Sequence, residues 1–495
     1  MGLVFHLDQL QAIDGDIRAG RHIKARKDLS ELCRATVPRE FRVSVAALAR
    51  RVGLPYLGLR LLAPSVRPSG KKFGDATAKE KAEYAAGLIF VGGSVEGLEI
   101  LGSLGKNAPV EAGLFTSFAL FKEWEYGKAI PVLKKYVDSS ELSNYQRLVG
   151  NVNLCAALVA ERVFDEAQSL LSKTEGQAKE EGHSFLYGII LELAAQNWIH
   201  QRKWKEADRY LARAQEKLKD SESWEALFTR KWRAVADFLQ GKSEGEKSIL
   251  AIREEAVRRV HGETVRDIDR FLAIQRQDPN LLIHVYIGTP YETFRRRLLS
   301  EARFPVSIPD SYELKLGASS GPAIEIDVMR GDPGSGRRSL RYGGHVHRLF
   351  KELCHDFYQG SSLTALHARV YTGEYFNPVS TPAKMHRLFV RLRGWLKKEK
   401  IPLAIEEKRS TYRMVSKTSC ILLIQERTVV TRHPLLDKLE IQFIDDKFSI
   451  REASMVLEFP TRSTLRLLEK GIEEGRIERK GKASATRYRF LKKTA

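Results

Sequence analysis

Apolar side chains in residues 1 to about 275 recur every three or four positions, which predicts one amphipathic helix after another. A small residue is repeatedly followed four positions later by Leu or Ile, which lets two antiparallel helices pack closely. These pairs are Ala25/Leu29, Gly58/Leu62, Gly97/Leu101, Ala129/Leu133, Ala167/Leu171, Ala207/Leu211 and Gly245/Ile249. Successive small residues are roughly 32 to 40 positions apart, a period typical of helical-hairpin repeats. We therefore predict a helical repeat domain over residues 1–275 that presents surfaces to partners.

Two of these units are clearer than the others. In one, Leu154 and Cys155 precede a turn that is followed by FDEAQSLL, and in the other, Ala195 and Trp198 precede KWKEADRYLARAQ. Both resemble degenerate tetratricopeptide repeats in the order and spacing of their small and large apolar residues. The resemblance implies a solenoid of helical hairpins that binds a partner protein or associates with itself, with no catalytic residues. The alternative is a plain, irregular helical array.

The pattern of apolar and polar residues changes after residue 275. Residues 276–321 are predicted to be a connecting segment and linker, because VSIPDSYELKLGASSGPA is rich in Pro, Gly and Ser. Residues 322–425 then show two short strands (IEIDVMR and RSLRY), three helices and a hairpin, in that order. The second helix is expected to be capped by Ser361 or Ser362, and the third to open at Thr381-Pro382.

The third of these helices has two different faces. Its predicted inner face carries apolar side chains, Met385, Leu388, Phe389, Leu392, Trp395 and Leu396. The opposite face carries Ala383, His386, Arg387, Val390, Gly394 and Lys397, flanked by Lys384, Arg391, Arg393 and Lys398. A basic helix face is often only solvated surface, and the alternative is that this face binds DNA phosphates and bases.

This segment resembles the effector domain of OmpR-type response regulators and of the SARP activators. The matching residues are Arg391-Leu392-Arg393 in the third helix and Tyr412-Arg413-Met414 at the close of the hairpin. The resemblance implies a winged helix-turn-helix that binds DNA. The hairpin lacks the usual glycine pair and no receiver domain precedes it, so phosphorylation control is unsupported.

Residues 433–495 predict a second winged helix-turn-helix, and they resemble MarR-like regulators. FPTRSTLRLLEKGIEEGRIERKGKASATRYRF reads as a turn, a recognition helix and a two-stranded wing. Thr461 is expected to cap the helix, with Leu465, Leu468 and Ile472 facing inward. Gly475 would end the helix and Gly481 would lie in the wing. The expected fold class is thus mainly α, with a tetratricopeptide-like solenoid followed by two tandem α+β winged helices.

Composition favours a nucleic-acid partner. The 495 residues include 82 Lys and Arg against 62 Asp and Glu, a formal charge of +20, with a pI near 9.6. No apolar run is long enough to span a membrane, the first residues do not resemble a signal peptide, and the four cysteines are widely separated, so we expect a cytoplasmic protein. We expect no metal at His345, His347 or His355, no cofactor and no enzymatic activity, because no matching motif is present.

The leading hypothesis is a transcription regulator that binds double-stranded DNA in a sequence-specific way. Arg387 or Arg466 is placed to pair with guanine, and the surrounding cations are placed for phosphates. The predicted DNA-binding residues are Lys384, His386, Arg387, Arg391, Lys397, Lys398, Lys408, Arg409, Arg462, Ser463, Arg466, Lys480, Lys482 and Arg487. A homodimer would suit a target with two half-sites. The alternatives are a non-enzymatic protein scaffold and an RNA-binding accessory protein.

Overall fold

A computed structural model describes most of the chain. The described residues are 7–68, 76–219, 224–317, 323–416, 418–425, 434–443, 446–457, 459–473, 475–481 and 486–491. The chain is mainly helical, as predicted, with three small sheets of two or three strands in the described part. None of the helices in these residues is long and apolar enough to cross a membrane.

The amino-terminal part of the chain is an array of helical hairpins. Its helices are α1 (Leu7–Arg18), α2 (His22–Leu32), α3 (Arg42–Arg51), α4 (Pro55–Val66), α5 (Ala78–Phe90), α6 (Ser94–Ser103), α7 (Glu111–Lys122), α8 (Tyr126–Val137), α9 (Asn144–Ala160), α10 (Phe164–Glu180), α11 (Ser184–His200), α12 (Trp204–Leu218), α13 (Glu225–Leu239), α14 (Gly245–Arg258), α15 (Gly262–Arg276), α16 (Pro279–Ile287) and α17 (Glu292–Glu301). Consecutive helices pack against each other, and odd-numbered helices from α9 to α15 also contact the next odd-numbered helix. The odd-numbered helices therefore form one layer there.

The small residues predicted at the helix seams are buried, and each lies in an even-numbered helix from α2 to α14. Ala129, Ala167 and Ala207 are completely buried. A Cβ added at Gly97 would lie only 2.6 Å from the Ile89 side chain and 2.9 Å from the Ala85 carbonyl oxygen, so the close helix approach requires glycine there. The seam prediction is confirmed at these positions.

An α/β unit follows the array. Its elements are β1 (Ser311–Leu316), β2 (Ile324–Asp327), α18 (His345–Leu353), β3 (Ser361–Ser362), α19 (Leu363–Val370), α20 (Thr381–Lys398), β4 (Leu403–Lys408), β5 (Thr411–Ser416) and β6 (Cys420–Gln425). One sheet has the order β1-β6-β2, with β6 antiparallel to β1 and parallel to β2. The other is antiparallel with the order β3-β5-β4.

Two sequence predictions are wrong in this unit. Residues 311–316 form strand β1 although they lie in the predicted linker, because all six pair with residues of β6. Residues 338–342 form no strand, because β6 takes the place beside β2 and Glu399 holds this segment instead. The Glu399 carboxylate accepts a hydrogen bond from the Arg338 backbone N–H (3.0 Å). The Glu399 backbone carbonyl accepts one from the Arg337 guanidinium (3.0 Å).

A smaller unit ends the described chain. It contains α21 (Pro434–Gln442), α22 (Ile450–Leu457), α23 (Thr461–Glu473), β7 (Ile477–Lys480) and β8 (Arg487–Phe490), and β7 and β8 pair antiparallel. Thr461 is the first residue of α23 rather than its cap, because the Pro460 carbonyl already accepts a hydrogen bond from the Thr464 N–H. Gly475 ends the helix in the left-handed conformation (φ 67°), as predicted.

The array and the α/β unit share one hydrophobic core. Buried side chains of α4 to α6, such as Leu88, belong to the same cluster as Leu366, Phe376 and Phe389. At the other end of the array, the Arg266 side chain of α15 pairs with Asp356, which follows α18. The array therefore contacts the α/β unit at two places, through α4 to α6 and through α15.

Candidate nucleic-acid interface

The loop before α20 fixes where this helix begins. The Asn377 side-chain oxygen accepts hydrogen bonds from the backbone N–H groups of Val379 (2.9 Å) and Ser380 (3.1 Å). The Thr381 hydroxyl accepts a hydrogen bond from the Asn377 N–H (2.9 Å). Pro382 lies in the first turn, where a backbone N–H would have no helical partner. The predicted start at Thr381-Pro382 is confirmed.

The apolar face of α20 anchors the helix in the unit's core. Five of the six predicted residues are buried, and the sixth, Trp395, is half-buried and donates from its indole N–H to the Arg338 carbonyl (2.8 Å). Phe389 stacks on Tyr412 of β5 with ring centres 4.6 Å apart. These contacts join the helix to the hairpin, so their relative position is set by the core.

The opposite face of α20 is exposed and carries only positive charge. The 18-residue helix contains six Lys and Arg and no Asp or Glu. Its exposed residues are Ala383, His386, Arg387, Val390, Arg391, Arg393, Gly394, Lys397 and Lys398. Across the part of the chain that the structure describes, no carboxylate forms an ion pair with Arg387, Arg391, Lys397 or Lys398. Val390 is 65% exposed in the middle of this face.

Lys384 is differently placed from the other predicted residues of α20. Its ammonium group pairs with Glu374 at 2.5 Å and lies 3.6 Å from the centre of the Tyr371 ring. Both partners belong to the loop that precedes the helix. Lys384 therefore holds that loop to α20 from the flank of the exposed basic face.

The hairpin β4–β5 projects beside α20. Its two-residue turn consists of Arg409 and Ser410, both in the left-handed conformation (φ 53° and 60°) that a tight hairpin requires and that glycine usually supplies. Lys408 is exposed. The Arg409 guanidinium lies 5.4 Å from the Trp224 ring centre, just before α13, so the tip of the hairpin contacts the array. Arg409 is nevertheless exposed, and its predicted phosphate contact stays a prediction.

Helix α19 lies against the array. The Thr364 hydroxyl is 2.9 Å from the Tyr56 hydroxyl, and the Ser362 hydroxyl donates to the Val91 carbonyl. Ser362 also caps α19 by accepting a hydrogen bond from the Ala365 N–H (3.1 Å), as predicted. A Cβ at Gly92 would lie 2.8 Å from the Ala365 Cβ, so only glycine permits this approach. The array thus covers α19 and leaves α20 exposed.

The smaller unit carries a second group of predicted residues. Arg462, Ser463 and Arg466 are exposed at the start of α23, as predicted, and Leu468 is completely buried. Leu465 and Ile472 are partly buried. Lys480 pairs with Glu478 (3.1 Å), and Arg487 is exposed on β8. Lys482 lies outside the described residues.

The smaller unit packs against the α/β unit near the start of α20. The Arg341 guanidinium lies 4.4 Å from the Phe459 ring centre, and a Cβ at Gly343 would meet Leu435. A Cβ at Gly373 would lie 2.9 Å from the ammonium group of Lys470 in α23. Helix α23 therefore ends beside the loop that leads into α20.

Histidines near α20 serve packing. The His347 ring accepts a hydrogen bond from the Gly343 N–H (3.0 Å), and burial lowers its pKa to about 4. His345 stacks on Tyr371 with ring centres 4.5 Å apart. Among the residues that the structure describes, no group of three or more His, Cys, Asp or Glu side chains is arranged to hold a metal ion.

Three exposed residues near α20 are absent from the predicted set. Arg393 belongs to its basic face, and Tyr375 and Val379, which are 61% and 75% exposed, lie in the loop before it. The sequence signal for Tyr375 and Val379 was two large apolar residues in a polar loop, which does not by itself distinguish surface from core.

Charge is concentrated where these helices lie. Residues 322–495 contain 34 Lys and Arg against 20 Asp and Glu, and so carry +14 of the formal charge of +20.

In comparisons with known proteins, no family model and no curated protein matches this chain.

Proposed function

We propose that the protein is a transcription regulator that binds double-stranded DNA through α20. In this proposal, α18 to β5 form a winged helix-turn-helix, α21 to β8 form a second one, and the array is a tetratricopeptide-like domain for a partner. The observation that carries the proposal is the outer face of α20, which is basic, free of carboxylates and exposed, while the inner face is anchored in the core.

The shape and charge of α20 suit the major groove. An α-helix fits the roughly 12 Å width of that groove, where each base pair presents a distinct pattern of donors and acceptors. Arg387 is proposed to pair with guanine, and Val390 to contact a thymine methyl group. Lys397, Lys398 and Lys408 are proposed to contact phosphates, which supply affinity without sequence information.

Two predicted residues have other roles in the proposal. Lys384 positions the loop before α20, and Arg409 fixes the hairpin tip to the array. Arg462, Ser463 and Arg466 are proposed to contact DNA from the second unit, because they are exposed near the amino terminus of α23.

The salt dependence of binding tests the proposal. Fluorescence anisotropy would compare duplex DNA with single-stranded RNA of equal length for the wild-type protein and for Lys397→Ala/Lys398→Ala. Loss of two phosphate contacts should reduce the slope of log affinity against log salt by about 2. The matched control is Lys173→Ala/Lys205→Ala, which removes the same charge from two exposed residues of the array.

Each outcome discriminates between functions. An unchanged slope for the α20 variant, or an equal loss in the control, would refute the role of this face. Tighter binding of the RNA would favour an RNA-binding protein. Absence of nucleic-acid binding would favour the scaffold function.

A further inference from the structure

The hairpin turns of the array share one backbone feature. In the first six hairpins, one turn residue adopts the left-handed conformation five positions before the small residue of the seam. Gly20, Gly53 and Gly92 occupy this position in the first three (φ 78°, 77° and 89°). Glycine is the expected residue, because other L-residues meet a steric penalty in this conformation.

Three successive hairpins depart from this rule. Trp124, Arg162 and Arg202 occupy the equivalent position with φ values of 60°, 59° and 58°. Gln277, which follows α15, is also left-handed (φ 53°). Backbone conformations of this kind persist where the surrounding structure enforces them, and they cluster at functional sites.

These four side chains line the same cavity. It has a volume of about 610 Å³ and lies between the turns of the hairpins α7/α8, α9/α10 and α11/α12 and helix α17. In the described part of the array, Val260 is the other non-glycine residue with a left-handed backbone, and it lies outside the cavity. All the left-handed non-glycine residues in the described part of the array except Val260 therefore line this one cavity.

The cavity has an excess of positive charge. Four arginines line it, Arg162, Arg202, Arg297 and Arg303, against the carboxylates of Glu161 and Glu301. Glu301 is already engaged by Arg162 (2.6 Å) and Arg297 (3.0 Å), and by Arg270 behind the wall (2.7 Å). Among the described residues, no carboxylate pairs with Arg202 or Arg303, and both are exposed.

The pKa values of two groups at the cavity agree with this excess of arginines over carboxylates. Burial and the neighbouring Arg297, Arg270 and Arg303 lower the pKa of Arg162, although Glu301 opposes the shift. Burial and the same arginine cluster lower the pKa of His200, on the cavity wall, to about 3. The imidazole is therefore neutral at physiological pH.

The remaining lining mixes aromatic and apolar side chains with the polar side chains of Gln275, Gln277, Thr293 and Ser300. Trp124, Phe271, Phe294 and Phe304 contribute rings, and Trp124 packs edge-on against Phe294 with centres 4.6 Å apart. Pockets of roughly 300–1,000 Å³ that combine apolar walls with a few convergent polar groups are the usual form of small-molecule sites.

We infer that this cavity binds a small organic anion, with its carboxylate or phosphate group on Arg202 and Arg303 and its apolar part against the aromatic wall. Arg202 and Arg303 supply charge for the anionic group, and the aromatic rings select an apolar body. Phe304 lies between α17 and β1, so the cavity wall continues into the segment that enters the α/β unit. This site is distinct from α20 and does not depend on DNA binding.

Isothermal titration calorimetry with 1-naphthyl phosphate, 1-naphthoate and the neutral 1-naphthalenemethanol tests the inference. We expect one-to-one binding of at least one anion, with the two anions distinguishing phosphate from carboxylate, and much weaker binding of the alcohol. Arg202→Gly should lower the anion affinity about tenfold, because it removes a charged hydrogen-bond donor.

The glycine substitution separates binding from folding. Since it restores the residue that this turn favours, the thermal midpoint of unliganded Arg202→Gly should equal or exceed that of the wild type. Val260→Gly is the matched control, because it makes the same backbone change outside the cavity and should leave anion affinity unchanged. The inference is overturned if neither anion binds, if the alcohol binds equally well, or if Arg202→Gly binds like the wild type.

Discussion

Arg266 offers a direct test of how firmly the array holds the α/β unit. Its side chain is completely buried and pairs with Asp356 across the boundary (2.5 Å) and with Glu263 in its own helix (2.7 Å). Asp356 is itself only 7% exposed. Arg266→Met removes the cation but keeps much of the apolar volume, so the principal effect is electrostatic.

The expected cost follows from the charges that remain. Breaking a buried pair by removing one partner costs about 3–5 kcal/mol, because the other charge stays buried without compensation. Glu263 is 31% exposed and can turn toward water, so the main penalty arises at Asp356. Arg266→Met/Asp356→Asn removes both charges, and we expect it to recover about 2 kcal/mol or more of the loss. The introduced amide retains an oxygen that can accept from the Tyr358 and Gln359 N–H groups, as the Asp356 carboxylate does.

Urea unfolding of the wild type, both single variants and the double variant would complete this cycle. Tryptophan fluorescence and circular dichroism should report coincident transitions if the array and the α/β unit unfold together. A cost below about 1 kcal/mol for Arg266→Met, or additive effects in the double variant, would refute the view that this pair locks the two parts together.

Two further predictions concern the loop and helices around α20. Phe376 is 2% exposed between the array and α20, so Phe376→Ala should cost about 3–5 kcal/mol in urea unfolding, whereas a loss near zero would contradict its place in the shared core. Burial, and then Lys384, lower the pKa of His367 to about 4, with Glu374 opposing the shift, whereas an unfolded histidine titrates near 6.5. The unfolded chain therefore takes up the proton first, and the stability contributed by His367, which is complete above that value, should fall by about 1–2 kcal/mol between roughly pH 7 and pH 5. His367→Asn should remove this share of the pH dependence and leave the share of His347, whose pKa burial also lowers, and an identical pH profile for the variant would contradict the assignment.

Local patterns predicted much of the helical structure. The small seam residues identified the even-numbered helices of the array, and the apolar spacing of α20 identified which of its residues are buried. These predictions succeeded because each depends on residues within one or two turns of a helix.

Contacts between residues far apart in the sequence could not be predicted from it. Strand β6 pairs with β1, which lies more than a hundred residues earlier, and no local pattern indicates that a Pro- and Gly-rich segment contains its partner. The contacts of Arg409 with Trp224 and of Lys384 with Glu374 also depend on tertiary packing, so exposed cations could not be separated from engaged ones. The cavity escaped for the same reason, since Trp124, Arg162 and Arg202 belong to three hairpins.

Selection from a random duplex DNA library, followed by sequencing at two salt concentrations, tests the central claim most directly. The account predicts an enriched motif, strong salt dependence, and, for Arg387→Ala, a loss of about 1–3 kcal/mol with relaxed preference at one position. Two repeated half-sites in the motif would indicate a dimer. Retention of DNA without any enriched sequence, or equal losses for Arg387→Ala on selected and random duplexes, would contradict sequence-specific recognition by α20.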